Sequence, residues 1–233
     1  RDTDRSRGLG DVYKRQTLLF SCVGYAPRKI PVSEIDFSRE FSFALKRNDS
    51  PIPETVVRTS RSRRMKIGRS KIGTDLLSAA TVCFSSPEPL GEECGMLLSS
   101  RYDCTVNRLS FFVRKNGFES ASFRLTFYSA ENGLPKDILG DKDIRFDLPD
   151  GYTGWVDLDL SECPVHVKAG DFAVTMTFLD GKQGESAFRG LEFPITVAPL
   201  SKYTLVSRDR ALGAWSKEGT VITLFTEVTA YPD

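Results

Sequence analysis

The sequence predicts an all-β protein, and two observations carry that prediction. Apolar and polar residues alternate with a period of two along several short stretches, as in strands that bury one face and expose the other. Turn-forming pairs such as Asn132-Gly133, Asp150-Gly151 and Asp180-Gly181 separate these stretches, because glycine accepts the positive φ that tight turns require. We therefore expect a partial small β-sandwich followed by a jelly-roll-like two-sheet antiparallel sandwich.

Residues 1–16 are expected to be foreign to the protein. Residues 11–16 read Asp-Val-Tyr-Lys-Arg-Gln, which GAT GTG TAT AAG AGA CAG encodes, and this resembles the mosaic end left by transposon-based sequencing libraries. Processing scars are set aside before the fold is considered. The authentic chain is then expected to begin at Thr17, inside a domain.

Residues 17–57 are predicted to form a first, truncated β-domain. Apolar or alternating stretches predict three short strands, at 17–25, 28–32 and 40–46. A sheet this small would be marginal alone.

Residues 58–76 are predicted to be a basic linker. Seven Arg and Lys residues and no acidic residue lie from Arg58 to Lys71, and like charges favour a solvated segment. The alternative is a polyanion-binding arm, since clustered arginines release counterions from phosphates. No aromatic residue is interleaved to stack on bases, so no nucleic-acid partner is expected.

Residues 77–233 are predicted to form the main β-sandwich domain. Four stretches alternate clearly, and no helical stretch separates them, as a doubly wound sheet would require. We expect their apolar residues to face the core: Leu109, Phe111 and Val113; Ala121, Phe123, Leu125 and Phe127; Phe172, Val174, Met176 and Phe178; Ile222, Leu224 and Val228.

Charge and hydropathy exclude some partners. The formal net charge is +1, which indicates neither a nucleic-acid nor a membrane-surface partner. No apolar run reaches the roughly 20 residues that a membrane-spanning helix needs.

The cysteines predict neither a metal nor a cofactor. There are five, without the close pairing that zinc sites use. Most are interpreted as small buried apolar residues. A disulfide between Cys94 and Cys104 stays open, as does the redox compartment.

Few side chains are suited to catalysis, and we expect no enzyme. His166 is the single histidine, and it lies between Val165 and Val167, so it should point outward if both valines point inward. Asp157 and Asp159 share one side of a predicted strand. Paired carboxylates can act as acid and base or bind calcium, but the solvent side of a strand also explains them.

The two tryptophans lead to different expectations. Trp155 shares its strand side with the two aspartates, so we expect it on the outer face, covered by a neighbouring loop. Trp215 lies in a Gly-, Ser- and Lys-containing stretch that is typical of an exposed loop. It is the candidate ligand-binding residue, because a sugar or a peptide could stack on it; the alternative is that it anchors the loop.

The first domain resembles the C-terminal half of a carboxypeptidase-like regulatory domain, a small β-sandwich common in Bacteroidota envelope proteins. The resemblance rests on Leu-Leu-Phe-Ser-Cys-Val-Gly-Tyr at 18–25, Ile-Pro-Val at 30–32, Phe-Ser-Phe-Ala-Leu at 41–45 and Glu-Thr-Val-Val at 54–57. The later domain is similar to domains that follow such modules, through Pro-Leu-Gly-Glu at 89–92, Phe-Arg-Leu at 123–125 with Tyr128, Gly-Leu-Pro at 133–135 and Trp-Val-Asp-Leu at 155–158.

The resemblance implies a non-catalytic protein of the cell envelope, periplasmic or associated with the outer membrane. We therefore expect a binding, adhesion or assembly role, with a glycan or a protein as the ligand. Residues 132–142 and 208–219 are the predicted contact loops, since rigid sheets present variable loops. The alternative is a carboxylate-dependent hydrolase that uses Asp157 and Asp159.

Overall fold

The computed structural model describes residues 17–20, 25–26, 28–36, 38, 40, 42–47, 62–72, 78–197 and 201–232. The chain divides into two compact units, Arg1–Thr55 and Val56–Asp233, and each is described by itself. The predicted foreign segment, residues 1–16, lies outside the described residues.

The first unit contains a small antiparallel sheet. Strands β1 (Thr17–Phe20) and β2 (Arg28–Pro31) pair along their whole length, and a short 3-10 turn follows at Val32–Glu34. The described residues of the predicted third strand form no regular strand, but Arg47 makes an isolated bridge with Tyr25. The described part of this unit is therefore a two-stranded sheet rather than a three-stranded one.

The second unit consists of strands and connecting turns throughout its described residues. Its strands are β3 (Arg63–Gly68), β4 (Ser78–Cys83), β5 (Glu93–Ser100), β6 (Asp103–Val113), β7 (Lys115–Asn116), β8 (Phe118–Glu131), β9 (Leu134–Leu148), β10 (Gly154–Asp159), β11 (Val165–Val167), β12 (Gly170–Gln183), β13 (Leu191–Val197), β14 (Thr204–Arg208), β15 (Ser216–Glu218), β16 (Thr220–Ile222) and β17 (Leu224–Tyr231).

These strands form antiparallel sheets in a sandwich-like arrangement, which confirms the predicted fold class. The six-stranded sheet has the order β15-β14-β5-β12-β8-β9. The five-stranded sheet has the order β10-β6-β17-β3, with β11 also paired to β6, and the four-stranded sheet has the order β16-β13-β4, with β7 beside β13. Backbone hydrogen bonds from Arg114 to Glu192 (2.8 Å) and from Thr223 to Pro194 (3.0 Å) make the four-stranded sheet a continuation of the five-stranded one.

The core contains the residues that the alternation predicted. Phe111 on β6, Phe123 on β8 and Phe172 on β12 are fully buried, and the intervening residues of these strands lie on the outer faces. Phe123 packs against Phe84, Phe146 and Phe178, with ring centroids 5.1 to 5.6 Å apart. Period-two alternation therefore placed the inner faces correctly.

The interpretation of residues 58–76 as a linker is wrong for Arg63–Gly68. These residues form β3, which pairs with β17 at the edge of the five-stranded sheet. Ile67 is buried and Met65 packs against the core, while Arg64 and Lys66 point to the other side. The cations are compatible with a strand because all of them lie on its exposed positions.

Two predicted turn regions also differ from the structure. The predicted contact loop at 132–142 is largely strand β9, and its only turn is Asn132-Gly133, whose φ values of 55° and 73° suit a tight hairpin. The predicted turn at Asp180-Gly181 lies inside β12, beside a register shift. There the glycine permits close backbone approach, because a Cβ on Gly181 would lie 2.6 Å from the Ser120 carbonyl oxygen.

The cysteine pairing was not found from the sequence. Cys83 on β4 and Cys94 on β5 form a disulfide, with their Cα atoms 6.4 Å apart. The bridge considered between Cys94 and Cys104 is therefore wrong, and Cys104 is a buried free thiol. Cys163 is also free, and Cys22 lies outside the described residues.

Candidate ligand-binding face

The outer side of the five-stranded sheet brings together most of the residues that the sequence singled out. We call this surface the five-strand face. The register places Asp157 opposite Ser110, Asp159 opposite Arg108, and His166 opposite Thr105. Its other members lie on β3, β6, β10 and β17: Arg64, Lys66, Asp103, Phe112, Trp155, Phe225, Glu227, Thr229 and Tyr231.

An aromatic cluster occupies one end of the five-strand face. Trp155 is half-buried and lies edge-to-face against Phe112 and Phe225, at centroid distances of 5.5 and 5.6 Å. The ammonium group of Lys66 lies 4.5 Å from the Phe225 ring centroid, and Phe225 is only 7% exposed. The outer position predicted for Trp155 is therefore correct, and its ring partners come from neighbouring strands.

Charged groups alternate across the middle of the face. In strand order the row reads Asp159, Arg108, Glu227 and Lys66, and Lys66 forms a 3.2 Å ion pair with Glu227. Asp159 accepts a hydrogen bond from the backbone N–H of Ser161 at 2.9 Å. Hydrogen bonding from Ser161 lowers the pKa of the Asp159 carboxyl, so this group stays ionised near neutral pH.

The other carboxylate of the predicted pair has its own partner. Asp157 accepts a hydrogen bond from the Ser110 hydroxyl, one strand away. Both aspartates are exposed, as their place on the solvent side of an alternating strand predicted. Both carboxylates therefore lie on an exposed sheet surface.

His166 lies at the opposite end from the aromatic cluster. Val165 and Val167 are buried and His166 is exposed, which confirms the predicted outward placement. The imidazole Nδ1 lies 2.9 Å from the Thr105 hydroxyl oxygen, which is 3.1 Å from the Tyr231 hydroxyl oxygen. This end of the face is therefore a hydrogen-bonded polar surface.

Trp215 lies on the outer side of the other layer. It is half-buried, and its ring centroid lies 4.3 Å from the Arg208 guanidinium carbon and 5.6 Å from the Tyr128 ring centroid. Together with Ala130, it packs against a small apolar cluster formed by Leu97, Tyr128, Ala173 and Val206. The structure thus makes Trp215 an anchor for the connection between β14 and β15, and its contact with a ligand stays a prediction.

Sequence reasoning missed the buried carboxylate beneath this anchor. Glu93 is 2% exposed, and it accepts hydrogen bonds from the Tyr128 hydroxyl at 2.9 Å, from the Thr175 hydroxyl and from Arg208 Nε at 2.8 Å. Burial and the neighbouring Glu93 charge raise the pKa of Tyr128, which stays a neutral donor. The only sequence signal was that outer positions nearby, Leu97 and Val206, are apolar.

A small pocket beside the disulfide offers little for catalysis. It has a volume of about 120 Å³, and its lining includes Glu92, Ser207, Asp209 and Glu218. The chain's single histidine lies on the five-strand face, so no imidazole is near the Ser207 hydroxyl to act as a base. Among the described residues, no group of three or more His, Cys, Asp or Glu side chains could hold a metal ion.

Comparison with known proteins adds no relative: no protein family, no curated protein and no solved structure matches the chain. Within the described part of the chain, no helix is both long and apolar enough to cross a membrane.

Proposed function

We propose that this chain is a non-enzymatic protein of the cell envelope, periplasmic or associated with the outer membrane, with a binding, adhesion or assembly role. The five-strand face is its contact surface. One observation carries the proposal: partly exposed aromatic rings, alternating charges and a polar hydrogen-bonded end lie on one side of a single sheet. The envelope location is supported by the sequence resemblance of residues 17–57.

The geometry favours binding over catalysis on this face. A general acid near neutral pH needs a raised pKa, whereas hydrogen bonding lowers the pKa of Asp159. Asp157 accepts a hydrogen bond from the hydroxyl of Ser110, a neighbouring residue on the same sheet surface. Both carboxylates can, however, accept hydrogen bonds from a ligand, because a carboxylate has several lone pairs.

The test is binding by the purified 233-residue chain to glycan and peptide arrays. Arg108→Ala and Asp157→Ala remove exposed side chains from the five-strand face, and Asp171→Asn changes an exposed acid on β12 as the matched control. We expect the two face variants to lose array signals that the control retains. Equal signals from all three variants would contradict a contact role for this face.

The alternative function is a carboxylate-dependent hydrolase, favoured by the exposure of Asp157 and Asp159 on one side of β10. An activity screen compares the unaltered chain with an Asp157→Asn, Asp159→Asn double variant. Turnover that the double variant lacks would support the alternative. Turnover that it retains, or no turnover in either protein, would remove it.

A further inference from the structure

We infer that the five-strand face binds a neutral oligosaccharide; this rests on the proposed function and names the ligand class of the same site. The charges of the face are the first argument. Three cationic residues, Arg64, Lys66 and Arg108, share it with four acidic ones, and the signs alternate across the strands. The acidic residues are Asp103, Asp157, Asp159 and Glu227.

Such a surface has no dominant sign of charge. A field of one sign steers an oppositely charged polymer to a protein, and alternating charges cancel that field beyond about a Debye length, roughly 8 Å in physiological salt. A polyanion or a polycation would therefore be attracted by the residues of opposite charge in the row and repelled by the residues of like charge between them. A ligand without net charge meets no such conflict.

The hydrogen-bonding groups of the face match those of a sugar. Carboxylates only accept hydrogen bonds and guanidinium and ammonium groups only donate them, whereas each sugar hydroxyl can do both. On a sheet these groups repeat about every 4.8 Å across the strands. A row that alternates acceptor and donor, such as Asp159, Arg108 and Glu227, can thus bind adjacent hydroxyls of one sugar chain.

The aromatic end supplies the complementary apolar surface. A pyranose ring has C–H groups on its faces and hydroxyls around its edge, so it can lie against an aromatic ring while its edge meets polar groups. Trp155 is partly exposed, and Phe112 and Phe225 hold it in place. It lies two residues from Asp157 on the same strand side, and a side chain fixed before binding loses little entropy on binding.

The experiment uses the chain's own fluorescence. The protein has two tryptophans, so a Trp215→Phe variant of the full chain leaves Trp155 as the only reporter. This variant is titrated with soluble cello-, xylo-, manno- and chito-oligosaccharides, and with heparin as the anionic probe. We expect a neutral oligosaccharide to shift the Trp155 emission and to protect it from acrylamide quenching. Heparin should change neither the emission nor the quenching.

Two further variants in the same background test the contacts. Arg108→Ala and Glu227→Ala should each weaken the affinity by about tenfold or more, as expected for losing a hydrogen bond to a charged group. Asp171→Asn, away from the face, should leave it unchanged. The substituted residues lie at the surface, and circular dichroism checks that the variants fold.

The outcomes separate this inference from the proposed function. If no neutral oligosaccharide changes the Trp155 emission, while Arg108→Ala abolishes binding to peptide arrays, the sugar inference is overturned and the binding function is kept. Heparin binding that exceeds neutral binding would also overturn it. If the protein binds neither sugars nor peptides, both the sugar inference and the proposed binding function are overturned.

Discussion

Arg208 and Glu93 form an ion pair that is shielded from solvent, although both lie on the outer side of the six-stranded sheet. Their side chains are only 9% and 1% exposed, and the guanidinium donates two hydrogen bonds to the same carboxylate oxygen. Trp215 and Tyr128 surround the pair, with the Arg208 guanidinium above the Trp215 ring. The outer side of this layer therefore contains a second buried region, which a two-layer sandwich does not require.

Removing one member of this pair should destabilise the protein strongly. In Arg208→Ala the Glu93 carboxylate stays buried without its cation, and such a loss costs about 3–5 kcal/mol in the free energy of unfolding. Urea denaturation measures it. Lys182→Ala is the control, because Lys182 pairs with Glu119 at exposures of 71% and 46%, and its effect should stay within about 0.5 kcal/mol. Similar values for the two variants would contradict the burial argument.

The second prediction concerns the aromatic centre of the core. Phe123 is fully buried and contacts three other phenylalanines, so Phe123→Ala should lower the free energy of unfolding by about 3–5 kcal/mol. Ile138→Ala on β9 is the control, since Ile138 is 48% exposed, and it should change stability by less than about 1 kcal/mol. If denaturation curves show that Phe123→Ala hardly changes the free energy of unfolding, the inner face is wrongly assigned.

The third prediction concerns thiol reactivity. Burial raises the pKa of the Cys104 thiol, and the thiolate is the reactive form, so Cys104 should resist alkylation in the folded protein. Cys163 is only half-buried and should react with iodoacetamide much faster. Mass spectrometry of non-reduced peptides should also find Cys83 linked to Cys94. Fast labelling of Cys104, or a Cys94–Cys104 peptide, would contradict the structure.

The fourth prediction concerns acid sensitivity at β9. Burial works to raise the pKa of Asp143, but hydrogen bonds from Arg124 and Arg145 outweigh it and lower the pKa below the ordinary 3.8. A lowered pKa in the folded state stabilises the protein above the unfolded pKa, and this contribution is lost as the pH falls through the folded value. The stability difference between the unaltered chain and Asp143→Asn should therefore shrink below about pH 4.

Denaturation at several pH values measures this difference. The same comparison in an Arg124→Ala background is the control, because one hydrogen-bonding partner of Asp143 is then absent. The pH dependence should be weaker there. A difference that grows as the pH falls would contradict the assigned direction.

Alternation alone was enough to predict the inner faces of the long strands. Phe123 on β8 stands in an apolar–polar pattern, and so does Phe172 on β12 apart from its apolar neighbour Ala173; both phenylalanines are buried. Strand β3 was missed because its Arg and Lys residues dominate the composition, so the contribution of Met65 and Ile67 was not recognised. Strand β9 was read partly as a loop, because most of its residues are exposed.

The candidate site could be predicted only in part. The outward positions of Asp157, Asp159 and His166 follow from their buried neighbours, but their gathering on one sheet depends on the pairing of β10 and β11 with β6. Pairing between distant segments has no local signal. The same reason hides the ion pair of Glu93 and Arg208, which are 115 residues apart. Cys83 and Cys94 are only 11 residues apart, but they lie on β4 and β5, which belong to different sheets, so their spacing alone did not indicate the disulfide.

Strand β17 pairs with β6 on one side and with β3 on the other, so the five-stranded sheet is joined through a segment synthesised long after its neighbours. During translation, β3 and β6 leave the ribosome with these edges unsatisfied, and they stay so until positions 224–231 emerge. Assembly of this half of the sandwich must therefore wait for almost the entire described sequence. A nascent polypeptide halted just before that point would expose two unpaired strand edges, and such edges can pair with other chains and promote aggregation.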